Sequence, residues 1–170
     1  NRGIVRLFGQ LDTDLQLTPP NSTCHWSRCR PFNGDIKLLW EPARFGWAFP
    51  LMRAYILTGD ADYPEAFWHN FELFLETNPP NCGLNWSSGQ EVALRILAFL
   101  FASRVFAAAP SSTPIRQSQL AGAVIAHAQR IPPTLGYARA QNNNHLLTEA
   151  LGLYAAGCSM PDHPQAKRWK

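Results

Sequence analysis

From about residue 35 onward, apolar residues recur at helical spacing, and loops rich in Pro, Gly and Asn cut the pattern into segments. The first segment opens at Asp35-Ile36-Lys37-Leu38-Leu39-Trp40-Glu41, with Pro42 expected in a helical first turn, and runs to Leu57. Phe45, Phe49, Leu51, Met52, Tyr55 and Ile56 supply its apolar surface. Pro50 should kink or restart it, and Thr58-Gly59-Asp60 should end it. A second helix is predicted over Tyr63 to Thr77, with Phe67, Phe71, Phe74 and Leu75 on one face. Asn78 to Gly83 is a break. The third helix, Val92 to Ala109, is apolar almost all round and should be deeply buried. Ser87 or Ser88 would cap it, Ser88 and Glu91 forming a capping-box pattern. Arg95 and Arg104 interrupt its apolar surface, and a buried charge needs a partner. A fourth helix spans Pro114 to Arg130, and a break follows from Ile131 to Gly136. The fifth runs from near Asn143 to Gly157, and Gln165 to Lys170 begins a sixth.

Residues 1–34 lack this periodicity and read as an irregular, extended lead-in, in which Ile4, Val5, Leu7 and Phe8 form one short strand or pack on the body. The remainder predicts an all-α fold of stacked antiparallel helical hairpins, arranged as an irregular barrel or arc. Polar clusters fall at helix ends: Trp40-Glu41, Asn85-Trp86 and Asn142 to His145. Ends converging on one rim would build a cleft.

The densest polar cluster is Gln141-Asn142-Asn143-Asn144-His145, followed at once by apolar positions Leu147, Ala150, Leu151 and Tyr154. It places hydrogen-bond donors on the first turn of a helix, where the dipole favours an anion. The plainer reading makes Asn142 or Asn143 a helix cap and His145 its polar neighbour.

Composition narrows the classes. With 170 residues, 46% of them hydrophobic, the chain can form one domain with a substantial core. Fifteen Lys+Arg against twelve Asp+Glu give a net charge of +3, which permits an anionic ligand. No long basic run supports nucleic acid as a partner. No apolar run reaches membrane-spanning length, and no signal peptide is visible. The four cysteines, Cys24, Cys29, Cys82 and Cys158, lack zinc-site spacing. Cys24 and Cys29 are close enough for a disulfide, with two ordinary thiols as the alternative. Asn21-Ser22-Thr23 and Asn85-Trp86-Ser87 match the glycosylation sequon. An opening at Asn1 without Met, and an end soon after a new helical pattern begins, suggest a piece of something longer.

The ordered series Asp35-Ile36-Lys37-x-x-Trp40-Glu41-x-x-Arg44, Ala54-Tyr55-x-x-Thr58-Gly59-Asp60, Asn78-Pro79, Gly83-x-Asn85-Trp86-x-Ser88-x-x-Glu91-x-Ala93-x-Arg95 and Asn143-Asn144-His145-x-Leu147-x-Glu149-x-x-Gly152-Leu153 resembles the N-terminal helical domain of the heparinase II/III-like polysaccharide lyases, which include alginate lyases. The resemblance covers about residues 35–170. It implies that 35–170 is the N-terminal part of an incomplete α/α toroid, truncated at its C-terminal end, with the rest of the toroid and a β-sandwich domain in the full-length protein. It implies β-elimination on uronic-acid glycans, with an acidic oligo- or polysaccharide as partner and a periplasmic or secreted location. The matching motif makes Asn144 and His145 the catalytic pair that neutralises the uronate carboxylate. The family's tyrosine base would lie beyond Lys170, with Tyr137 the nearest alternative within this chain.

The chemistry supports such a pair independently. Removing a proton next to a carboxylate creates an enolate-like dianion, so donors aimed at the carboxylate oxygens act most where charge grows. Asn144 offers an amide N–H, and His145 an N–H or, when protonated, a charge. A separate base and acid would complete the reaction. The scheme needs no metal and no cofactor. Substrate-binding candidates are Trp40, Arg44, Asn85, Trp86, Gln90, Glu91, Arg95 and Asn143. Trp40 and Trp86 could stack on sugar faces or pack in the interior. Glu91 and Arg95, four apart, are favoured to pair along their helix, and Asn85 could equally be a cap. The rivals are a non-catalytic glycan-binding helical domain, a helical-repeat scaffold that binds protein, and a hydrolase. A hydrolase would need two opposed carboxylates among Glu41, Glu91 and Glu149.

Overall fold

The computed structural model describes residues 4–7, 11–15, 17–18 and 23–170. Among the described residues eight α-helices form the body: α1 (Lys37–Ala43), α2 (Ala48–Thr58), α3 (Asp62–Thr77), α4 (Gly89–Val105), α5 (Pro114–Arg130), α6 (Leu135–Ala140), α7 (Asn144–Ser159) and α8 (Ala166–Trp169). They are joined by 3-10 turns at Leu84–Trp86 and Pro132–Thr134, and a third such turn at Trp26–Arg28 precedes them. The fold is all-α, as the periodicity predicts.

Helix α4 is the axis of the molecule. It packs chiefly on α7 and α5, and also on α2. Val92, Ala93, Ile96, Phe99 and Ala102 are buried on the side turned to the core, whereas Phe101 and Arg104 on the opposite side are exposed, so the helix is less enclosed than its apolar sequence predicts. Around it lies an aromatic core in which Phe45 meets Phe67, Phe74 and Phe99 edge-on. Gly152 lets α7 close on α4: a methyl there would stand 2.8 Å from the Ala93 Cβ.

The first predicted helix is two. Asp35 Oδ1 accepts from the Lys37 N–H, so α1 starts early and Pro42 falls near its end rather than in its first turn. Phe45 then adopts a left-handed backbone, φ 60°, which breaks the helix. Burial of its ring in the aromatic core holds that strained geometry. Pro50 lands in the first turn of α2, where a missing N–H costs nothing. Gly59, at φ 69°, stops α2 where the sequence places the stop. The predicted break at 131–136 instead holds a 3-10 turn leading into α6.

The described residues of the lead-in hold more regular structure than its sequence suggests. Strand β1 (Ile4–Leu7) pairs antiparallel with β2 (Leu11–Asp14), Ile4 opposite Asp14. Phe8 lies outside the described residues. The buried Leu17 lends its carbonyl to the Asn78 amide. His25 bridges Cys82, with Trp26 N donating to Asn81 O and Gly83 N to Cys24 O. Cys24 and Cys29 form a disulfide, which decides between the two alternatives left open by their spacing.

Candidate functional site

The site is built on the turn between α3 and α4. Four consecutive carbonyls there are held by side chains from distant helices. Leu84 O accepts from Trp40 Nε1 (3.1 Å) and Ser87 Oγ (2.6 Å). Asn85 O accepts from Arg95 Nη2 (2.5 Å). Trp86 O and Ser87 O accept from Arg130 Nε and Nη2 (2.9 and 3.1 Å). An irregular backbone segment can be rigid and buried only when its polar groups are paired in this way.

The arginines behind the turn are enclosed. Arg95 is 0% exposed and faces the rings of Phe74 and Trp86 at 5.3 and 5.8 Å. Its Nε donates to His127 Nε2 at 3.0 Å, so His127 Nδ1 carries the proton and donates to Ala123 O. Burial, and then the charge of Arg95, hold His127 far below the usual imidazole range. Burial also brings Arg95 down to about 9, against a smaller upward pull from Glu91. Arg130 lies 3.8 Å from the Trp26 ring, and its Nη1 reaches Thr134 Oγ1.

In front of the turn opens a cleft of about 330 Å³, lined by Trp40, Ser87, Ser88, Gly89, Thr134, Tyr137, Gln141, His145 and Glu149. That volume falls in the range of small-ligand sites. His145 stands on the first turn of α7, half-buried, its ring without a hydrogen bond among the described residues. Asn144 beside it is exposed, its amide equally unengaged, just outside the lining residues. Asn143 is the N-cap: its Oδ1 accepts from His145 N at 2.9 Å, and Asn142 precedes it in a left-handed conformation. The Tyr137 hydroxyl accepts from Gln141 Nε2 at 2.6 Å on the outer wall.

Glu149, one turn beyond His145, is a cleft residue that the sequence offered only as a candidate carboxylate of the hydrolase reading. It is 2% exposed, and its Oε2 has no partner. Its carboxyl lies over Gly89, where even a methyl would stand 2.6 Å from Cδ. Burial raises it to about 7, against a downward pull from Arg130. Its i, i+4 spacing from His145 could have flagged it, because that spacing sets both on one face of a helix.

Several candidates are placed elsewhere. Asn85, Trp86 and Arg95 are interior: Asn85 Nδ2 donates to Asn78 Oδ1, and Trp86 Nε1 to Asn78 O. Their contacts with a sugar, as first expected, give way to the support of the turn. The burial of Asn85 also removes its sequon from consideration, while Asn21 lies outside the described residues. Glu91 pairs not with Arg95 but with Arg44, through Nε–Oε2 at 2.5 Å and Nη2–Oε1 at 2.8 Å. The capping box fails for the same reason: Ser88 is the N-cap of α4, but its side chain makes no capping bond. Arg44 also binds Glu41, and these partners raise its pKa. Gln90 is half-buried, with Oε1 unpartnered. Trp40 reaches the cleft while donating to Leu84 O.

The chain is thus all-α, built of helical hairpins, with a cleft at the helix ends that carries polar side chains. The pattern of the heparinase II/III N-terminus family matches residues 17–170, and the chain belongs to that family. It is accordingly a member of a polysaccharide lyase family. No curated protein and no solved structure matches the chain.

Proposed function

We propose that the chain is the N-terminal, substrate-engaging part of a polysaccharide lyase that cleaves uronic-acid glycans, alginate or glycosaminoglycan-like, by β-elimination. Asn144 and His145 neutralise the uronate carboxylate. The observation that carries this reading is the pair of unengaged donors on the first turn of α7, His145 facing the cleft and Asn144 at its edge. Neither side chain hydrogen-bonds to another of the described residues, so both are available to a ligand. Trp40 offers an indole wall beside them. The body is part of an α/α toroid whose remainder, with a β-sandwich domain, supplies the proton-transferring tyrosine. The protein acts in the periplasm or outside the cell.

Cleft chemistry disfavours a two-carboxylate hydrolase. Among the described residues lining the cleft, Glu149 is the one carboxyl, and Glu41 and Glu91 are both engaged by Arg44. A non-catalytic glycan-binding domain uses the same cleft and is separated by turnover. The test follows ultraviolet absorbance of unsaturated product from alginate, heparan sulfate and hyaluronan. The full-length protein is expected to turn over at least one of them, and Asn144→Ala and His145→Ala are expected to abolish that turnover. Full-length protein that binds an acidic glycan without cleaving it would instead support the binding-domain reading.

A further inference from the structure

We propose that the Cys24–Cys29 disulfide is a redox-sensitive latch on the cleft, through which a dithiol reductant releases Trp26 from Arg130 and loosens the turn that carries Ser87 and Ser88. The latch acts on the shape of the cleft, whatever glycan fills it. The disulfide brackets the 3-10 turn Trp26–Arg28. No residue of that turn is buried, so the core does not fix its shape. Among the described residues, its backbone is tied to the body by Trp26 N donating to Asn81 O and Gly83 N to Cys24 O, on either side of the His25–Cys82 bridge. The covalent loop does here what burial does for the helices.

The loop sets the position of the Trp26 ring, 3.8 Å from the Arg130 guanidinium. Arg130, only 2% exposed, donates to Trp86 O, Ser87 O and Thr134 Oγ1. Ser87, Ser88 and Thr134 all line the cleft. Trp26 shields the donors of Arg130; with the ring gone, water competes for them and the carbonyls lose their anchor. Trp26 is therefore a positioning residue that acts on the cleft through Arg130. The bond is open to attack because both cysteines are only half-buried. A thiolate of the dithiol attacks Cys24 Sγ, the S–S bond breaks, and its electron pair leaves on Cys29 as a thiolate, which the sequence neighbours Arg28 and Arg30 favour. The second thiol of the reductant attacks the mixed disulfide and frees Cys24. Two electrons and two protons have then passed to the protein, and the dithiol has become a disulfide. A disulfide oxidant closes the latch by the reverse exchange.

The experiment is hydrogen exchange, read by mass spectrometry, on the full-length protein, oxidised and in dithiothreitol, with Cys24→Ser/Cys29→Ser as a permanently open form. The reporter is the segment 84–88, whose Trp86 and Ser87 amides donate to Gly83 O and Leu84 O. It should exchange faster in the reduced and the doubly substituted protein, by up to about thirtyfold, the loop-closure term for so short a loop expressed as an opening constant. Helix α3 should still be protected when the segment has exchanged. Trp26→Ala, with the disulfide intact, should speed the same segment. Cys82, half-buried opposite His25, should react faster with iodoacetamide in the doubly substituted protein than in oxidised wild type. Unchanged exchange of 84–88 on reduction, or unchanged Cys82 reactivity, overturns the proposal. Exchange of the segment only together with α3 overturns it too, since the whole chain would then be unfolding. So does wild-type exchange in Trp26→Ala, which removes the route through Arg130. A Cys24–Cys29 bond that survives dithiothreitol in the folded protein, read by intact mass, overturns the redox sensitivity and with it the latch.

Discussion

At the scale of single residues, two buried titratable groups bend the stability profile in opposite directions. Glu149 has its folded pKa raised from 4.5 to about 7. The folded chain therefore binds more protons than the unfolded one between those values, and stability falls as pH rises through that window. Glu149→Gln should be about as stable as wild type below pH 4.5 and more stable above pH 7, by up to about 3 kcal/mol. Urea melts across pH 4 to 8 would check this; a gap that shrinks with rising pH would contradict the assignment. His127 works the other way. Its folded pKa is depressed, so its stabilising contribution is complete above 6.5 and is lost as pH falls and the unfolded imidazole takes up a proton. Arg95→Met strips His127 and the Asn85 carbonyl of their donor, and should cost about 2–4 kcal/mol in denaturant unfolding. By contrast, the exposed Asn144→Ala should change stability by less than about 0.5 kcal/mol while weakening acidic-glycan binding. That contrast separates a ligand-facing amide from a supporting one.

At the scale of elements, the α4–α7 contact couples the core to the cleft. Two glycines permit it, Gly152 against Ala93 and Gly89 beneath Glu149. Gly152→Ala has to push the helices apart and should cost about 1–3 kcal/mol in a urea melt. Gly89→Ala confronts the Glu149 carboxyl directly. It has to displace that carboxyl and should lower stability in the same melt. Long periodic helices such as α3 and α5 were legible in the sequence almost to the residue. The division of α1 from α2 was not, because it depends on Phe45 taking a left-handed backbone to bury its ring among Phe67, Phe74 and Phe99. Nor was the pairing of Glu91, since a partner 47 residues away in Arg44 outcompetes both a neighbour on the same helix and a local cap.

For the molecule as a whole, the lead-in acts as a strap. Its Trp26 covers Arg130, which in turn holds the cleft turn by two carbonyls. The Cys24–Cys29 disulfide closes a short loop next to that contact. Cys24→Ser with Cys29→Ser should cost about 2 kcal/mol by the chain-entropy estimate for so short a loop, measurable as a lowered Tm. Residues 1–170 alone should bind acidic glycan without robust release of unsaturated product, since the proposed base lies outside them. Turnover by this piece would assign the base within it, with Tyr137, already in the cleft, the first phenol to replace by Phe.

Helix content, the largely buried character of α4 and the donor cluster at the start of α7 were determined by the sequence alone. Each rests on the order of neighbours along the chain: apolar spacing, glycine stops, and an Asn beside a His. Only the tertiary structure decided which polar residues line or border the cleft and which hold the scaffold. Asn85 and Trp86 carry the same chemical groups as Asn144 and Trp40, and nothing local distinguishes the two pairs. Burial distinguishes Asn85 from Asn144 and Trp86 from Trp40, and both arginines, Arg44 and Arg95, turn out to serve the scaffold. These are properties of the packed chain, and the same packing turned Glu149 from a helix residue into the unpartnered acid at the floor of the cleft.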